Sequence, residues 1–416
     1  MIIDLEASIL GSMYTPTKKI LERYADVMVN FALGGGKGIK KGDVVLVYSP
    51  EVAKPLYIEV LAAIWRAGGH VITRYSPNGE RWFPKNKDFF NVASKEQLDF
   101  FPEKLMRAQV ESIDHSLAII GETEPRALQG IDPKKIMQVQ SAFEPYKNWF
   151  FEKVESKKLS WTLCLYGTEA MAKEANISEK EYWNQIIQAC FLDKANPIKE
   201  WQKFFRQIEV YRKKLSDMPI DKIHVKGPDA DLWIGLGEKR AWKAGSGCNI
   251  PSFEIFTSPD WRQTNGWIKF NQPLYYNGNL IDGIELEFKD GRVVKSKAKK
   301  NEKTLKAMLA VKDADKVGEY SLTDRRFSRI TKFMATTLFD ENMGGPNGNT
   351  HIAVGSAYKD CFKGDPSKLS KKQWQALGYN DSSVHTDIIS TAPRTVTATL
   401  RNGTSKIIYK NGQFTL

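Results

Sequence analysis

A chain of 416 residues with 42% hydrophobic and 26% charged residues has an ordinary globular composition and enough apolar material for two or three domains. No apolar run is long enough to span a bilayer, and the opening Met1-Ile2-Ile3-Asp4-Leu5-Glu6 places acids where a secretory leader carries bases; a cytoplasmic protein with no membrane partner is expected. The net charge of +12 admits nucleic acid as a partner, but the bases are scattered among acids. The densest clusters, Lys295-Lys297-Lys299-Lys300 and Arg325-Arg326, lack interleaved aromatics, so a solvated basic surface and no nucleic-acid partner are expected, with long-range steering of acidic peptides as the remaining use of the charge.

The first half alternates strands and helices. Gly34-Gly35-Gly36-Lys37-Gly38 fails the spacing of a phosphate loop and follows a helical stretch, so it reads as a helix terminator. Val44-Val45-Leu46-Val47-Tyr48 suits a strand buried on both faces. Glu51 to Ala67 follows with Leu56, Val60, Leu61, Ile64 and Trp65 at helical spacing, closed by Gly68-Gly69, and His70 to Thr73 returns as a strand. This is a βαβ unit. Leu117 to Gly121 and Trp161 to Leu165 read as further strands of one sheet. Ser178-x-x-Glu181 predicts a capping box and Pro197 a helix start.

The polar stretch Lys213 to Pro219 is the candidate boundary, giving domains 1–215 and 216–416. Beyond it hairpin signals dominate: Ile284 to Phe288 alternates and turns through Asp290-Gly291, and Thr395 to Leu400 turns through Asn402-Gly403 into Lys406 to Tyr409. The expected fold is an α/β N-terminal domain with a largely parallel sheet, followed by an α+β strand-rich domain.

Chemistry concentrates in the second half. Val384-His385-Thr386-Asp387-Ile388 places an imidazole and a carboxylate two residues apart in a β-branched stretch, which on a strand puts both on one face. Another of the five histidines, His351, stands in Asn349-Thr350-His351-Ile352-Ala353. Glu254, Glu319 and Glu341 lie in largely apolar segments, where a carboxylate needs a partner or a metal. Each alone reads as a surface or satisfied core residue; together they form an oxygen-rich set better suited to two hydrolytic metal ions than to one structural zinc. The four cysteines, Cys164, Cys190, Cys248 and Cys361, are far apart and form no C-x-x-C pair, so buried or half-exposed thiols are expected instead of disulfides or a thiolate zinc site.

The segments NIPSFEIFTSPD with TNGW after it, GEYSL, LFDEN followed by NTHIAVGSAY, and VHTDI come in an order and spacing that resemble the thermophilic aminopeptidase family of dinuclear metallopeptidases, which includes aminopeptidases T and S. The resemblance covers most of the chain and is densest from about Asn249 to Asp387. It implies metal ligands at Glu254, Glu319, Glu341, His351, His385 and Asp387, with Glu319 bridging and acting in catalysis, and Tyr358 set against the reacting centre. It also implies two divalent ions (zinc, with cobalt or manganese as alternatives), removal of N-terminal residues from short or unfolded peptides, and a homodimer whose first half controls access. Phe253 replaces a glycine common in the family before the first glutamate, and a ring there is expected to narrow or reshape the pocket; Cys248 beside this segment has no assigned role. The competing readings are a metal-dependent amidase of small amides and a non-enzymatic basic binding protein.

Overall fold

The computed structural model describes residues 14–77 and 86–416; the opening Met1–Glu6 segment lies outside the described residues. Strands β1 (Val44–Pro50), β2 (His70–Ser76), β3 (His115–Ile120) and β4 (Ser160–Leu165) form a parallel sheet in the order β2-β1-β3-β4. The β-branched run of β1 occupies an interior position and is buried almost throughout, whereas β2 lies at the sheet edge and is largely exposed.

The crossover between them is the helix Lys54–Arg66, which buries Leu56, Val60, Ala63 and Ile64. Trp65, expected on the same apolar stripe, is 60% exposed. At about 3.6 residues per turn it lies opposite Leu56, so its hydrophobicity is spent on the outer face. Gly68, at φ +79°, closes the helix. The glycine run ends the helical stretch that begins at Lys18, with Gly34 and Gly35 at φ 66° and 64°. Only half of the predicted capping box forms: Ser178 accepts from the Glu181 N–H at 3.2 Å, while the Glu181 carboxylate turns to Gln185 and Lys332. Pro197 opens the long helix Pro197–Asp217, and the expected boundary falls on that helix's last turn and the start of the next strand.

The remaining strands are antiparallel. They are β5 (Ile220–Gly227), β6 (Ala230–Gly235), β7 (Glu254–Thr257), β8 (Thr264–Lys269), β9 (Leu274–Tyr276), β10 (Asn279–Ile281), β11 (Glu285–Lys289), β12 (Arg292–Lys297), β13 (Val317–Thr323), β14 (Asn349–Gly355), β15 (His385–Ser390), β16 (Thr395–Leu400), β17 (Ser405–Lys410) and β18 (Gln413–Phe414). Eight of them form one sheet, β12-β11-β8-β6-β5-β16-β17-β18, and four form another, β15-β14-β13-β7, with β9 and β10 as a separate hairpin. The predicted Asp290-Gly291 turn joins β11 to β12 with both residues at positive φ, 49° and 80°, as a type I′ turn requires. One apolar cluster runs from Leu21 to Phe414, so both halves share a core. Among the described residues no helix is long and apolar enough to cross a membrane. The four cysteines are free; Cys164, Cys190 and Cys361 are buried and Cys248 is half-buried.

Candidate metal centre

The sheet β15-β14-β13-β7 gathers the charged residues by register. Glu319 on β13 pairs with Ala353 on β14, which pairs in turn with Asp387 on β15. His351 pairs with Ser321 on one side and Ile389 on the other, Gly355 pairs with His385, and Glu254 pairs with Thr323. Side chains two residues apart share a face, so Glu254, Glu319, His351, His385 and Asp387 all project from one side of the sheet. Ala353, lying between Glu319 and Asp387, leaves room for them.

The five groups fall into two overlapping trios, Glu254–Glu319–His351 and Glu319–His385–Asp387, each with candidate ligand atoms within 4.8 Å of one another. His351 Nε2 lies 3.2 Å from Glu254 Oε2 and 3.4 Å from Glu319 Oε1. His385 Nε2 lies 3.4 Å from Glu319 Oε2 and 3.6 Å from Asp387 Oδ1. Glu319 therefore offers one oxygen to each histidine.

Neighbouring groups fix the orientation of this set. The Ser321 hydroxyl donates to Glu254 Oε2 at 2.7 Å. His385 Nδ1 stands 2.7 Å from the Ser356 carbonyl, which can only accept, so Nδ1 carries hydrogen and Nε2 faces the carboxylates. Burial pushes the Glu254 carboxyl up to about 7. Burial also pulls against charge on the two imidazoles, but the hydrogen bonds and charges of Glu319, Glu254 and Asp387 outweigh it, lifting His351 to about 9 and His385 to about 10. Asp387 is held below the usual carboxylate range: burial opposes this, and the His385 charge 3.6 Å away prevails.

Three carboxylates and two imidazoles thus share a buried site, and among the described residues their ion pairs are with histidine, none with lysine or arginine. Asp387 Oδ1 is buried without a hydrogen-bond partner. Buried carboxylates in excess of their counter-charges, with nitrogen ligands beside them, fit divalent cations.

Glu341, expected with these ligands, belongs to neither trio. It follows the short helix Thr337–Asp340, is buried, and its Oε1 accepts from Asn249 Nδ2 at 3.0 Å and Asn342 Nδ2 at 3.2 Å. Burial, reinforced by the charges of Glu254, Asp387 and Glu319, pushes its carboxyl well above the ordinary value. The Tyr358 ring lies 4.6 Å from that of His385, and its backbone N–H donates to Ser258 Oγ at 2.8 Å.

Tyr358, Glu341 and Asp387 open onto a cleft of about 580 Å³. Its other wall comes from the first half of the chain, including Ile120, Glu122, Trp161, Leu163 and Met171. Phe253 is absent from this lining. Strand alternation turns it away from Glu254; it is fully buried and stacks on Trp201 at 5.6 Å with Phe204 at 5.1 Å, so the expected narrowing of the pocket does not occur. Cys248 joins neither trio, and burial pushes its thiol up to about 12. Ser321, Asn249 and Asn342, which hold the carboxylates, were not singled out from sequence, although all three lie inside or beside the motifs that carry the ligands.

The model of the family described as thermophilic metalloprotease (M29) matches residues 17–414. The chain belongs to that family. Aminopeptidase PepS of Streptococcus thermophilus is 27% identical over 96% of this chain and 98% of its own. Aminopeptidase T of Thermus thermophilus is 26% identical over 95% and 98%. The solved structure of wild-type AmpT from Thermus thermophilus shares the fold, with a TM-score of 0.77 at 24% identity over 96% of this chain and 100% of that one. A parallel four-stranded α/β region followed by a strand-rich antiparallel region is thus the architecture of this M29 metalloprotease.

Proposed function

We propose that this metalloprotease is an aminopeptidase that removes N-terminal residues from short or unfolded peptides with the help of two divalent ions. The observation that carries the reading is the position of Glu319 between two trios on one sheet face, with an oxygen toward each. The similar proteins, named as aminopeptidases, support the same reaction class. Glu254 and His351 would hold one ion, His385 and Asp387 the other, and Glu319 both; zinc, cobalt and manganese suit this donor set. Bound divalent ions would supply a nucleophilic water at neutral pH and an electrophile for the scissile carbonyl.

The chain's own groups do the rest. Tyr358 lines the cleft beside His385, and burial keeps its hydroxyl protonated, so it donates a hydrogen bond as the carbonyl oxygen gains charge. Glu341, whose Oε1 accepts from Asn249 and Asn342, pairs with the substrate's α-ammonium. An arriving cation supplies the counter-charge that this buried carboxylate otherwise lacks. The requirement for a free N-terminus follows from that pair. Residues 1–215 frame access to residues 216–416 and support a homodimer in the cytoplasm; a monomeric mass by light scattering would refute the dimer.

The decisive experiment compares free and N-acetylated peptides before and after chelation. Cleavage of the free peptide alone, lost with metal and restored by adding it, is the expected result. Equal cleavage of both peptides would point to a small-amide hydrolase instead. Tyr358→Phe is expected to lower kcat about a hundredfold at unchanged metal content.

A further inference from the structure

The first-half wall of the cleft has no part in the chemistry above. Trp161 and Leu163 stand two residues apart on β4, so they share a face, and both are half-buried cleft-lining side chains. The wall is tied to the reaction centre through the backbone. Leu163 N–H donates to the Cys248 carbonyl at 2.8 Å, and Ile250 N–H donates to the Leu163 carbonyl at 3.0 Å. Asn249, the residue between them, holds Glu341 at 3.0 Å. Leu338, from the helical turn preceding Glu341, lines the same cleft.

We infer that Trp161 and Leu163 form the subsite for the side chain of the substrate's N-terminal residue and select large apolar or aromatic residues there. The inference rests on the aminopeptidase reading, in which Glu341 holds the α-ammonium. With the amine at Glu341, the side chain on the adjoining Cα meets the wall fixed beside Asn249. Half-buried aromatic and aliphatic surface in a cleft gains most by covering apolar atoms.

The test is kcat/KM for the p-nitroanilides of phenylalanine, leucine, alanine and glutamate with the metal-loaded wild type, Trp161→Ala and Trp161→Leu, with metal content and melting temperature measured alongside. Wild type should prefer phenylalanine and leucine over alanine and glutamate by about tenfold or more. Trp161→Ala should lose about tenfold more on phenylalanine and leucine than on alanine. Trp161→Leu, which keeps apolar bulk and protects against a folding artefact, should keep leucine and lose phenylalanine. A uniform fall across all four substrates at full metal content, or a wild-type preference for alanine or glutamate, overturns the subsite. Equal cleavage of free and acetylated leucyl substrates by wild type overturns the aminopeptidase reading and the assignment with it. Amine-dependent cleavage that is indifferent to Trp161 overturns the wall alone.

Discussion

Two four-stranded sheets serve this molecule in opposite ways. The parallel sheet of the first half is a support: its interior strand β1 is almost wholly apolar, and it reaches the cleft through side chains of β3 and β4 and through segments that follow its strands. The antiparallel sheet β15-β14-β13-β7 presents charged groups from its own face. A strand covered on both faces must be apolar throughout, so a parallel sheet of this kind contributes chemistry at its ends. An antiparallel sheet can devote every second residue of adjacent strands to one cluster, with neighbouring strands about 4.8 Å apart setting the spacing of the groups. The spacing of the two trios follows from that geometry.

The sharpest way to break this contrast is Glu319→Gln. It keeps the shape of β13 and removes the charge shared by both trios. We expect kcat/KM to fall about a thousandfold or more, because several kcal/mol of electrophilic stabilisation are lost, and bound metal to fall by at least one ion per chain in elemental analysis. Full metal content with full activity would show that Glu319 does not join the two trios.

Periodicity makes two of the five clustered residues legible in the sequence, and the motifs that carry the resemblance supply the other three. His385 and Asp387 are two apart in a β-branched stretch, which by itself assigns them to one strand face. That Glu254, Glu319 and His351 share that face depends on which residue of β13 lies opposite which residue of β14, a pairing register that no local pattern encodes. The same limit explains the misreadings. Trp65 is apolar and falls at helical spacing, but its angle on the helix places it outside. Phe253 was expected in the pocket because it adjoins Glu254, yet adjacency on a strand means opposite faces. Trp161 and Leu163 read from sequence as strand residues of the first half; the meeting of Leu163 with Asn249 joins segments remote in sequence.

Phe253 tests the boundary between site and support. Its ring packs against Trp201, Phe204 and Phe191, on the side away from the ligands. Phe253→Ala should cost about 3–5 kcal/mol of stability through the cavity it leaves, read as a fall in denaturation midpoint. Substrate preference of the surviving folded protein should stay as in wild type; a changed preference would return Phe253 to the pocket.

Acidity offers a milder perturbation. In the metal-free cluster the protons on His351 and His385, with pKa values near about 9 and about 10, balance the surrounding carboxylates. Metal must displace them, so affinity should rise with pH by about tenfold per unit for each proton released, levelling only as pH passes through those values. Calorimetric titration in two buffers of different ionisation enthalpy counts the protons directly. Release of none at neutral pH would mean that the imidazoles are already neutral.

The smallest expected effect comes from a group that touches no metal. Ser321 lies on the ligand face of β13, directly across from His351, and its hydroxyl holds Glu254 Oε2. Ser321→Ala removes that hydrogen bond and leaves the strand intact. Groups that orient a metal ligand contribute about ten- to a hundredfold in affinity, and a neutral donor to one oxygen belongs at the low end. Affinity for the first ion to leave on graded chelation should therefore fall about tenfold, with turnover at saturating metal close to wild type. A fall in turnover that excess metal does not restore would give Ser321 a part in the reaction itself. The ligand face would then extend one residue further along β13 than the two trios do.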